Sequence, residues 1–481
     1  MKINKYLIIL LVLTLGFRLY MAFQSPYFDS DEAYFNARVI ETVIDTKTPF
    51  LYDPFSYGGR ELIFPQLFHY LMSLFLFIPN FMKIIPEIFI TSLTLMAYLI
   101  AKKITDDETS SLITALLVTF SPILISTTSN QLSVYTLAIP VMYLMFYTLL
   151  DLKEKYNLTI FLVASFVLPL LHPISFLLIL SLIFYVILSV SESIKIERLS
   201  KEAVLFSFFL ILLINLIIFK KAFLLHGINV IWQNVPSQLL AEHFKTPTVL
   251  NSIYLIGIIP LILGSLGIFI GFFKTKNKQT MLLISPILAI ILLMLLKMIN
   301  FQTGLLFMSI SLTLMASLSI KEIVKYIELT KLHRFKNYFI ALSVIIIIIL
   351  VVIPSFFSKT SIITSLEIEN LQFLERNSPK DSTVLSPVSQ GDLTAYFTKR
   401  RNVADTNFLL APNPEQRLKD IKEAYTTVIE SKALEIFHEY SIDYIFISRN
   451  AKEQYNITLP KYLEDGNCFR QKQATVYEIR C

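Results

Sequence analysis

The chain has 481 residues, of which 54% are hydrophobic and 16% are charged. Soluble domains carry roughly a quarter of charged residues, so this composition excludes a mainly water-soluble protein and indicates lipid as the solvent for most of the chain. The formal net charge is +6, but Lys and Arg stand between apolar runs, which is a topology signal of membrane proteins and excludes a nucleic-acid partner.

The N-terminal apolar run, residues 6–23, predicts a first membrane span. It follows Lys2 and Lys5 and has no small-residue cleavage site, so we expect it to be retained with its N-terminus in the cytoplasm. The first outer loop is then residues 24–83.

A second apolar run, residues 65–81, is short for a span and contains His69, so it predicts a helix lying in the membrane interface. The remaining apolar runs predict further spans and give about eleven in total. They are residues 84–101, 111–125, 137–150, 160–171, 176–190, 204–219, 253–273, 281–296, 305–320 and 338–353. With this count nearly every cluster of Lys and Arg lies on the cytoplasmic side, whereas counting residues 65–81 as a span would invert every later loop.

The C-terminal part of the chain has the composition of a soluble domain, with short apolar strands between amphipathic helices. It predicts an outward-facing α/β domain, residues 356–481, after a membrane domain of residues 1–355. The predicted strands are 383–387, 401–405, 444–448 and 475–479, and the predicted helices are 415–425 and 431–440. The fold class is therefore an all-α polytopic membrane bundle with a C-terminal α/β domain, located in the cell membrane.

Two features of the sequence concern modification. Cys468 and Cys481 both lie in the outward domain and would form a disulfide there, although their spacing fits two free thiols equally well. Two Asn-x-Thr sequences, beginning at Asn157 and Asn456, match the pattern of N-glycosylation acceptors. The first is cytoplasmic in the predicted topology, so we expect it to stay unmodified.

The residues best suited to chemistry stand just after the first span, where Asp29, Asp31 and Glu32 place three carboxylates at the membrane surface. One interpretation is structural: if a helix begins near Ser30, Asp31 and Glu32 occupy its first turn, where free N–H groups favour anions. The other is catalytic, because a lipid-phosphate donor stays at the membrane boundary and a base acting on an acceptor hydroxyl must be held at that depth. Asp29 and Asp31 would also hold a divalent cation, Mg²⁺ or Mn²⁺, which the pattern accommodates without requiring it.

This layout of a short first span, an Asp-Glu pair opening a long outer loop, many further spans and an outward tail resembles the GT-C membrane glycosyltransferases, which use polyprenyl-phosphate or polyprenyl-diphosphate sugars. Two stretches are similar to archaeal oligosaccharyltransferase catalytic subunits. Residues 32–38 match an acidic-x-aromatic-aromatic-Asn-x-Arg motif, and residues 57–60 with 64–71 match Gly-Arg and Pro-x-Leu-x-His-Tyr-Leu elements. The resemblance is close over roughly the first 150 residues. It implies that Asp31 is the base and that Glu32 is its partner or a metal ligand.

The chain departs from oligosaccharyltransferases in two places. Their second outer loop carries another acidic motif, whereas residues 129–135 read Ser-Asn-Gln-Leu-Ser-Val-Tyr here. Their outward domain carries Trp-Trp-Asp-Tyr-Gly, whereas this tail has no Trp and offers Ser-Gln-Gly-Asp at residues 389–392. These departures put metal dependence and transfer to asparagine in doubt and favour transfer of a simpler monosaccharide.

Several basic residues and histidines are candidates for substrate binding. Lys297, at the outer end of a span, is either a clamp for the donor phosphate or a lysine that reaches the interface. His172, at an outer span junction, would contact phosphate or acceptor, and the alternative is a histidine packed in the bundle. Arg38, Arg60 and His69 complete the set, with Arg38 offsetting phosphate charge.

These features predict an inverting membrane glycosyltransferase, of hexosyl- or mannosyltransferase type, that moves a sugar from a polyprenyl-phosphate donor to a glycan, lipid or protein acceptor outside the cytoplasm. The alternatives are oligosaccharyltransferase-like transfer to protein and a non-enzymatic transporter or scaffold for lipid-linked sugars. A transporter predicts inverted repeats and ionisable groups at mid-membrane, whereas we expect the titratable residues here at span ends.

Overall fold

The computed structural model describes residues 5–236, 248–330, 364–464 and 468–481, with the single positions 239, 338, 345, 349 and 466. The described residues fall into two compact units. The helical unit comes from Met1–Pro26, Pro65–Ile218 and Phe244–Lys359, and the sheet unit from Tyr27–Phe64, Phe219–His243 and Thr360–Cys481. Most of the first outer loop thus belongs to the same unit as the C-terminal sheet.

Helices dominate the N-terminal three quarters of the chain, and a small sheet follows. The α-helices are α1 (Lys5–Phe23), α2 (Asp31–Thr46), α3 (Leu67–Ser73), α4 (Phe81–Thr105), α5 (Glu108–Thr119), α6 (Pro122–Thr128), α7 (Tyr135–Leu149), α8 (Asn157–Leu171), α9 (Ser175–Ser191), α10 (Arg198–His226), α11 (Val249–Ile256), α12 (Ile258–Phe269), α13 (Lys278–Leu295), α14 (Phe301–Leu329), α15 (Ser365–Asn377), α16 (Gly391–Thr398), α17 (Pro414–Thr426), α18 (Glu430–Glu439) and α19 (Arg449–Tyr455). The strands are β1 (Tyr52–Asp53), β2 (Arg60–Glu61), β3 (Thr383–Leu385), β4 (Arg401–Asn402), β5 (Ile442–Phe446), β6 (Phe469–Gln473) and β7 (Val476–Ile479).

The long apolar helices make the chain a multi-pass membrane protein. In the described part, six helical segments are long and apolar enough to cross a membrane: α1, α4, α10, α12 with its continuation to Thr275, α13 and α14. The pair α5 and α6, bent by 47°, gives a seventh if it is one broken span, and α7, α8 and α9 are shorter apolar helices. The predicted last span, residues 338–353, lies almost wholly outside the described residues, so the count of eleven is not confirmed. The interface segment forms only the seven-residue α3, which is too short to cross a bilayer.

Within the helical unit, α12 packs closely against α14 through glycines. A Cβ atom added to Gly267 would lie 2.0 Å from the backbone oxygen of Met315, and one added to Gly264 would lie 2.5 Å from that of Leu312. Small residues let two helix backbones approach in this way, which replaces the hydrophobic driving force that lipid does not supply.

The sheet unit contains a five-stranded sheet of order β4-β3-β5-β7-β6. Strand β3 is parallel to β4 and β5, whereas β7 is antiparallel to β5 and β6. Alternate residues along the strands face opposite layers: Val384 packs with residues of α15 and α16, and Leu385 with residues of α17 and α18. Two helices and four strands occur close to their predicted positions, while β6, α15, α16 and α19 were not predicted. A disulfide joins Cys468, before β6, to Cys481, after β7.

Candidate active site

Helix α2 begins where the sequence predicts and carries the acidic pair in its first turn. The hydroxyl oxygen of Ser30 accepts the N–H of Ala33 at 3.3 Å, which caps the helix N-terminus. Asp31 is buried, whereas Glu32 is exposed. The interpretation of a solvated acidic helix start therefore does not fit Asp31.

The carboxylate of Asp31 also caps the N-terminus of α16, a helix about 360 residues later in the sequence. One oxygen accepts the N–H of Leu393 at 2.8 Å and the other lies 3.4 Å from the N–H of Asp392, in the first turn of α16. The side chain of Gln390, the N-cap residue of α16, instead accepts the hydroxyl of Ser448. Burial raises the pKa of Asp31 to about 8, although the two N–H contacts act in the opposite direction.

Arg38, seven residues or about two helical turns after Asp31 in α2, contacts two more buried carboxylates. Its guanidinium donates to both oxygens of Asp53, at 2.9 and 2.8 Å, and to Asp392 at 2.6 Å. Burial alone lowers the pKa of Arg38, but these two carboxylates raise it above its ordinary value. Burial raises the pKa of Asp392 well above its usual range, and the neighbouring charges of Asp405 and Asp31 add to the effect.

The Tyr-Gly-Gly-Arg stretch of the first loop forms a turn against the same edge of the sheet. The guanidinium of Arg60 donates to Ser56 at 2.6 Å and to Asp405 at 3.0 Å, and it lies 4.6 Å from the ring centroid of Tyr57. Gly59 has φ 114°, a backbone conformation that residues with a side chain rarely adopt, so glycine is favoured there. Arg38 and Arg60 are thus both committed to ion pairs within the sheet unit.

Asn402, the last residue of β4, connects the first loop to the start of α16. Its backbone N–H donates to the carbonyl of Phe55 at 2.8 Å, its side-chain oxygen accepts the N–H of Tyr57 at 2.9 Å, and its amide donates to the carbonyl of Gly391 at 2.9 Å. The carboxyl ends of parallel strands are where α/β sheets place their ligand-binding residues. Here that edge is occupied by the first loop with its acidic and basic side chains.

No group of three or more His, Cys, Asp or Glu side chains suited to a metal ion occurs among the described residues. Asp29 is half-buried ahead of α2. The suggested cation site of Asp29 and Asp31 therefore stays a prediction.

The helical unit contains a buried ion pair that the sequence analysis missed. Arg18 of α1 donates to Glu87 of α4 at 2.7 Å and to the hydroxyl of Thr128 at 2.7 Å, and both charged side chains are at most 2% exposed. Arg18 lies five residues before the end of α1 and Glu87 lies six residues after the start of α4, so the pair is near one end of each helix. The signal was present, because ionisable residues inside apolar runs are rare and mark internal contacts.

The same carboxylate holds the start of the second outer loop. Glu87 accepts the backbone N–H of Asn130 at 2.8 Å, and the ammonium of Lys83 donates to the side-chain oxygen of Asn130 at 3.1 Å and to the carbonyl of Ala22 at 2.9 Å. The loop has no carboxylate of its own, but α4 supplies one to its backbone.

The remaining predicted site residues lie in the helical unit and are not brought together there by any contact found in the described residues. His69 is buried in α3. The Nδ1 atom of His172 accepts the N–H of Ile174 at 3.0 Å, and its ring lies 4.6 Å from that of Tyr135. Lys297 is exposed just after α13, and the described part of the chain contains no carboxylate paired with it.

The chain has the fold of the GT-C membrane glycosyltransferases. The oligosaccharyltransferase of Archaeoglobus fulgidus in complex with Zn and sulfate is similar with TM-score 0.63 and 14% identity, over 92% of this chain and 67% of that one. The archaeal oligosaccharyltransferase AglB from Archaeoglobus fulgidus, in complex with an inhibitory peptide and a dolichol-phosphate, matches with TM-score 0.63 and 14% identity over 92% of this chain and 69% of that one. ArnT from Cupriavidus metallidurans bound to undecaprenyl phosphate matches with TM-score 0.55 and 9% identity over 98% of this chain and 97% of that one. No family model and no curated protein matches the chain.

Proposed function

We propose that this protein is an inverting GT-C glycosyltransferase that moves a sugar from a polyprenyl-phosphate donor to an acceptor hydroxyl outside the cytoplasm. The observation that carries the proposal is the GT-C fold, which extends over 92% of the chain or more, combined with an Asp-Glu pair in the first turn of α2 directly after the first span. Two of the similar structures hold dolichol-phosphate or undecaprenyl phosphate, which supports a lipid-phosphate carrier.

Asp31 is the base in this proposal. Its first oxygen accepts the N–H of Leu393 at 2.8 Å, while among the described residues the second oxygen has only the longer 3.4 Å contact and retains capacity to take a proton. A carboxylate with a pKa near 8 is a stronger base than an ordinary aspartate, and it is matched to chemistry at neutral to mildly alkaline pH. Glu32 is the next residue and is exposed, and in this proposal it assists Asp31 by contacting the acceptor.

Binding of the donor phosphate requires a cationic side chain that is not already neutralised by an ion pair within the protein. Arg38 and Arg60 are buried in ion pairs, so we assign them to positioning of the first loop in place of phosphate binding. Lys297 is exposed and is the better candidate for the phosphate. His69 and His172 stay predicted substrate-binding residues.

The decisive experiment replaces Asp31 by Asn in the purified full-length protein. The amide oxygen still accepts the N–H of Leu393, so the variant is expected to fold, while loss of the base lowers turnover by about 10²- to 10⁴-fold. In the parental protein the rate should increase as the pH rises toward 8, because only the deprotonated carboxylate accepts a proton. Glu32→Gln is the matched control, with a smaller loss. A folded Asp31→Asn protein that transfers sugar at the parental rate would refute the assignment and leave the transporter and scaffold alternatives.

Metal dependence is decided by a second variant. If Asp29 and Asp31 bind Mg²⁺ or Mn²⁺, Asp29→Asn should lose activity that excess metal restores. A mild loss that metal does not change would favour Asp31 acting alone.

A second candidate function is oligosaccharide transfer to asparagine, because one of the similar archaeal structures is tethered to an acceptor peptide containing an NVT sequon. In this chain the only acid of the Ser-Gln-Gly-Asp segment, Asp392, is paired with Arg38 and so is poorly placed to receive a peptide. Offering lipid, glycan and Asn-x-Thr peptide acceptors in parallel to the purified protein separates the two functions.

A further inference from the structure

The two Asn-x-Thr sequences of the chain lie in very different surroundings. Asn456 and Thr458 are both exposed, in the loop between α19 and the short helix Lys461–Glu464 of the sheet unit. Asn456 closes α19 in the left-handed conformation, with φ 52°, and its backbone N–H bonds to the carbonyl of Lys452. Among the described residues its side-chain amide has no hydrogen-bond partner.

Asn157, in contrast, is buried at the start of α8, where its side-chain amide is hydrogen-bonded. It is 6% exposed, and its amide donates to the carbonyl of Asp151 at 2.8 Å. It is also the first residue of α8, so Asn157 and Thr159 have helical geometry. An enzyme that glycosylates Asn-x-Thr must reach the amide nitrogen and the threonine hydroxyl together, which this helix start prevents.

We propose that Asn456 is the attachment site of an N-linked glycan. In the transfer, the amide nitrogen of Asn456 forms a bond to the anomeric carbon of a lipid-phosphate-linked sugar, and the bond from that carbon to the phosphate oxygen breaks. The electron pair leaves with the lipid phosphate, and the amide proton passes to a base of the transferring enzyme. The site depends on outward placement of the sheet unit and is independent of whether this chain itself is catalytic.

The loop can carry a glycan without loss of packing. Lys452, Glu453 and Gln454 before it are exposed. The fold on either side is held from within, by the stacked rings of Tyr455 and Tyr425 at 4.8 Å and by the buried hydroxyl of Tyr462, which donates to the carbonyl of Ala424. The attached sugar would therefore extend into solvent.

The test is peptide mapping by mass spectrometry of the full-length protein purified from its own membranes. We expect a glycan mass on the peptide that contains Asn456 and none on the peptide that contains Asn157. Asn413 is a matched internal control, since it is exposed and left-handed in the same unit but is followed by Pro414 and Glu415.

Three variants define the recognition. Asn456→Gln and Thr458→Ala should both abolish the mass shift, whereas Thr458→Ser should keep most of it, because serine supplies the same hydroxyl. An unmodified Asn456 in the parental protein, or a glycan equally present on Asn413, would overturn the proposal.

Discussion

The Arg18–Glu87 pair shows how a charge is held inside the helical unit. Each partner is nearly inaccessible, and the carboxylate also accepts the backbone N–H of Asn130. Two ions with satisfied hydrogen bonds are tolerated in a low-dielectric interior, whereas one unpaired ion is not. The contacts connect α1, α4 and the second outer loop, so we interpret the pair as an anchor for that loop.

Removing one partner of this pair should be far more costly than removing both. Glu87→Leu leaves the guanidinium of Arg18 buried without its carboxylate, so the free energy of unfolding should fall by about 3–5 kcal/mol. The double variant Arg18→Met with Glu87→Leu should recover most of that loss. Thermal unfolding of the purified proteins in one detergent measures both effects.

A surface pair provides the control for that series. Lys274 and Glu322 are 2.8 Å apart but exposed, so Glu322→Leu should cost no more than about 1 kcal/mol. A Glu87→Leu protein as stable as the Glu322→Leu protein would contradict the anchoring role.

Asp31 has both a structural role and a proposed catalytic role. Its carboxylate satisfies N–H groups of α16 and, in the proposed function, also accepts a proton. A carboxyl whose pKa is higher in the folded than in the unfolded protein binds its proton more tightly when folded. Its contribution to stability is therefore complete below the unfolded value of 3.8 and is lost as the pH rises toward 8. The pH range that frees the base is thus the range in which the burial of this carboxylate is least favourable.

At the scale of elements, the sequence predicted those with a strong local pattern. Helix α2 follows from Ser30 as a cap and from the buried stripe of Ala33, Ala37 and Ile40. Strand β6 has the sequence Phe-Arg-Gln-Lys-Gln, in which only Phe469 is fully buried. It therefore lacks the alternation of apolar and polar residues that predicts a strand. Its antiparallel pairing with β7 and the disulfide at the open end of the hairpin stabilise it as a strand.

The candidate site was also predictable only where it depends on local sequence patterns. The acidic pair and the Gly-Arg turn were recognised from local motifs in the first loop. Their partners Asp392, Asn402 and Asp405 lie about 350 residues away in sequence, as the separations of 354 and 345 for Arg38–Asp392 and Arg60–Asp405 show. Nothing in a single sequence pairs residues at that distance, so the use of both arginines in ion pairs became apparent only from the fold.

The contact between α12 and α14 makes a prediction about a single methyl group. Gly267→Ala would place Cβ against the backbone of Met315 and force the helices apart, so the free energy of unfolding should fall by about 1–3 kcal/mol. Gly16→Ala in α1 is the control, because a Cβ there meets nothing within 4 Å and alanine is the better helix former. Thermal unfolding should rank Gly16→Ala at or above the parental protein and Gly267→Ala below it. Equal stability of the two variants would mean that this helix contact is not tight.

For the whole molecule, the direction of the chain across the membrane rests on two independent arguments. By the positive-inside rule, the loops that carry the Lys and Arg clusters are predicted to lie in the cytoplasm. The disulfide between Cys468 and Cys481 is expected to persist only on an oxidising side of the membrane. Both arguments predict that the sheet unit lies outside, which is the location that the proposed function requires for Asp31.

The orientation can be tested with a clean background, because both native cysteines are in the disulfide and do not react with maleimides. Lys380, exposed in the sheet unit, and Lys155, exposed between α7 and α8, are each replaced by Cys. A membrane-impermeant maleimide added to intact cells should label position 380 and should label position 155 only after the membrane is opened. Labelling of 155 but not 380 in intact cells would place the sheet unit in the cytoplasm. Asp31 would then lie on the wrong side for an extracytoplasmic acceptor, and Asn456 on the wrong side for a glycan.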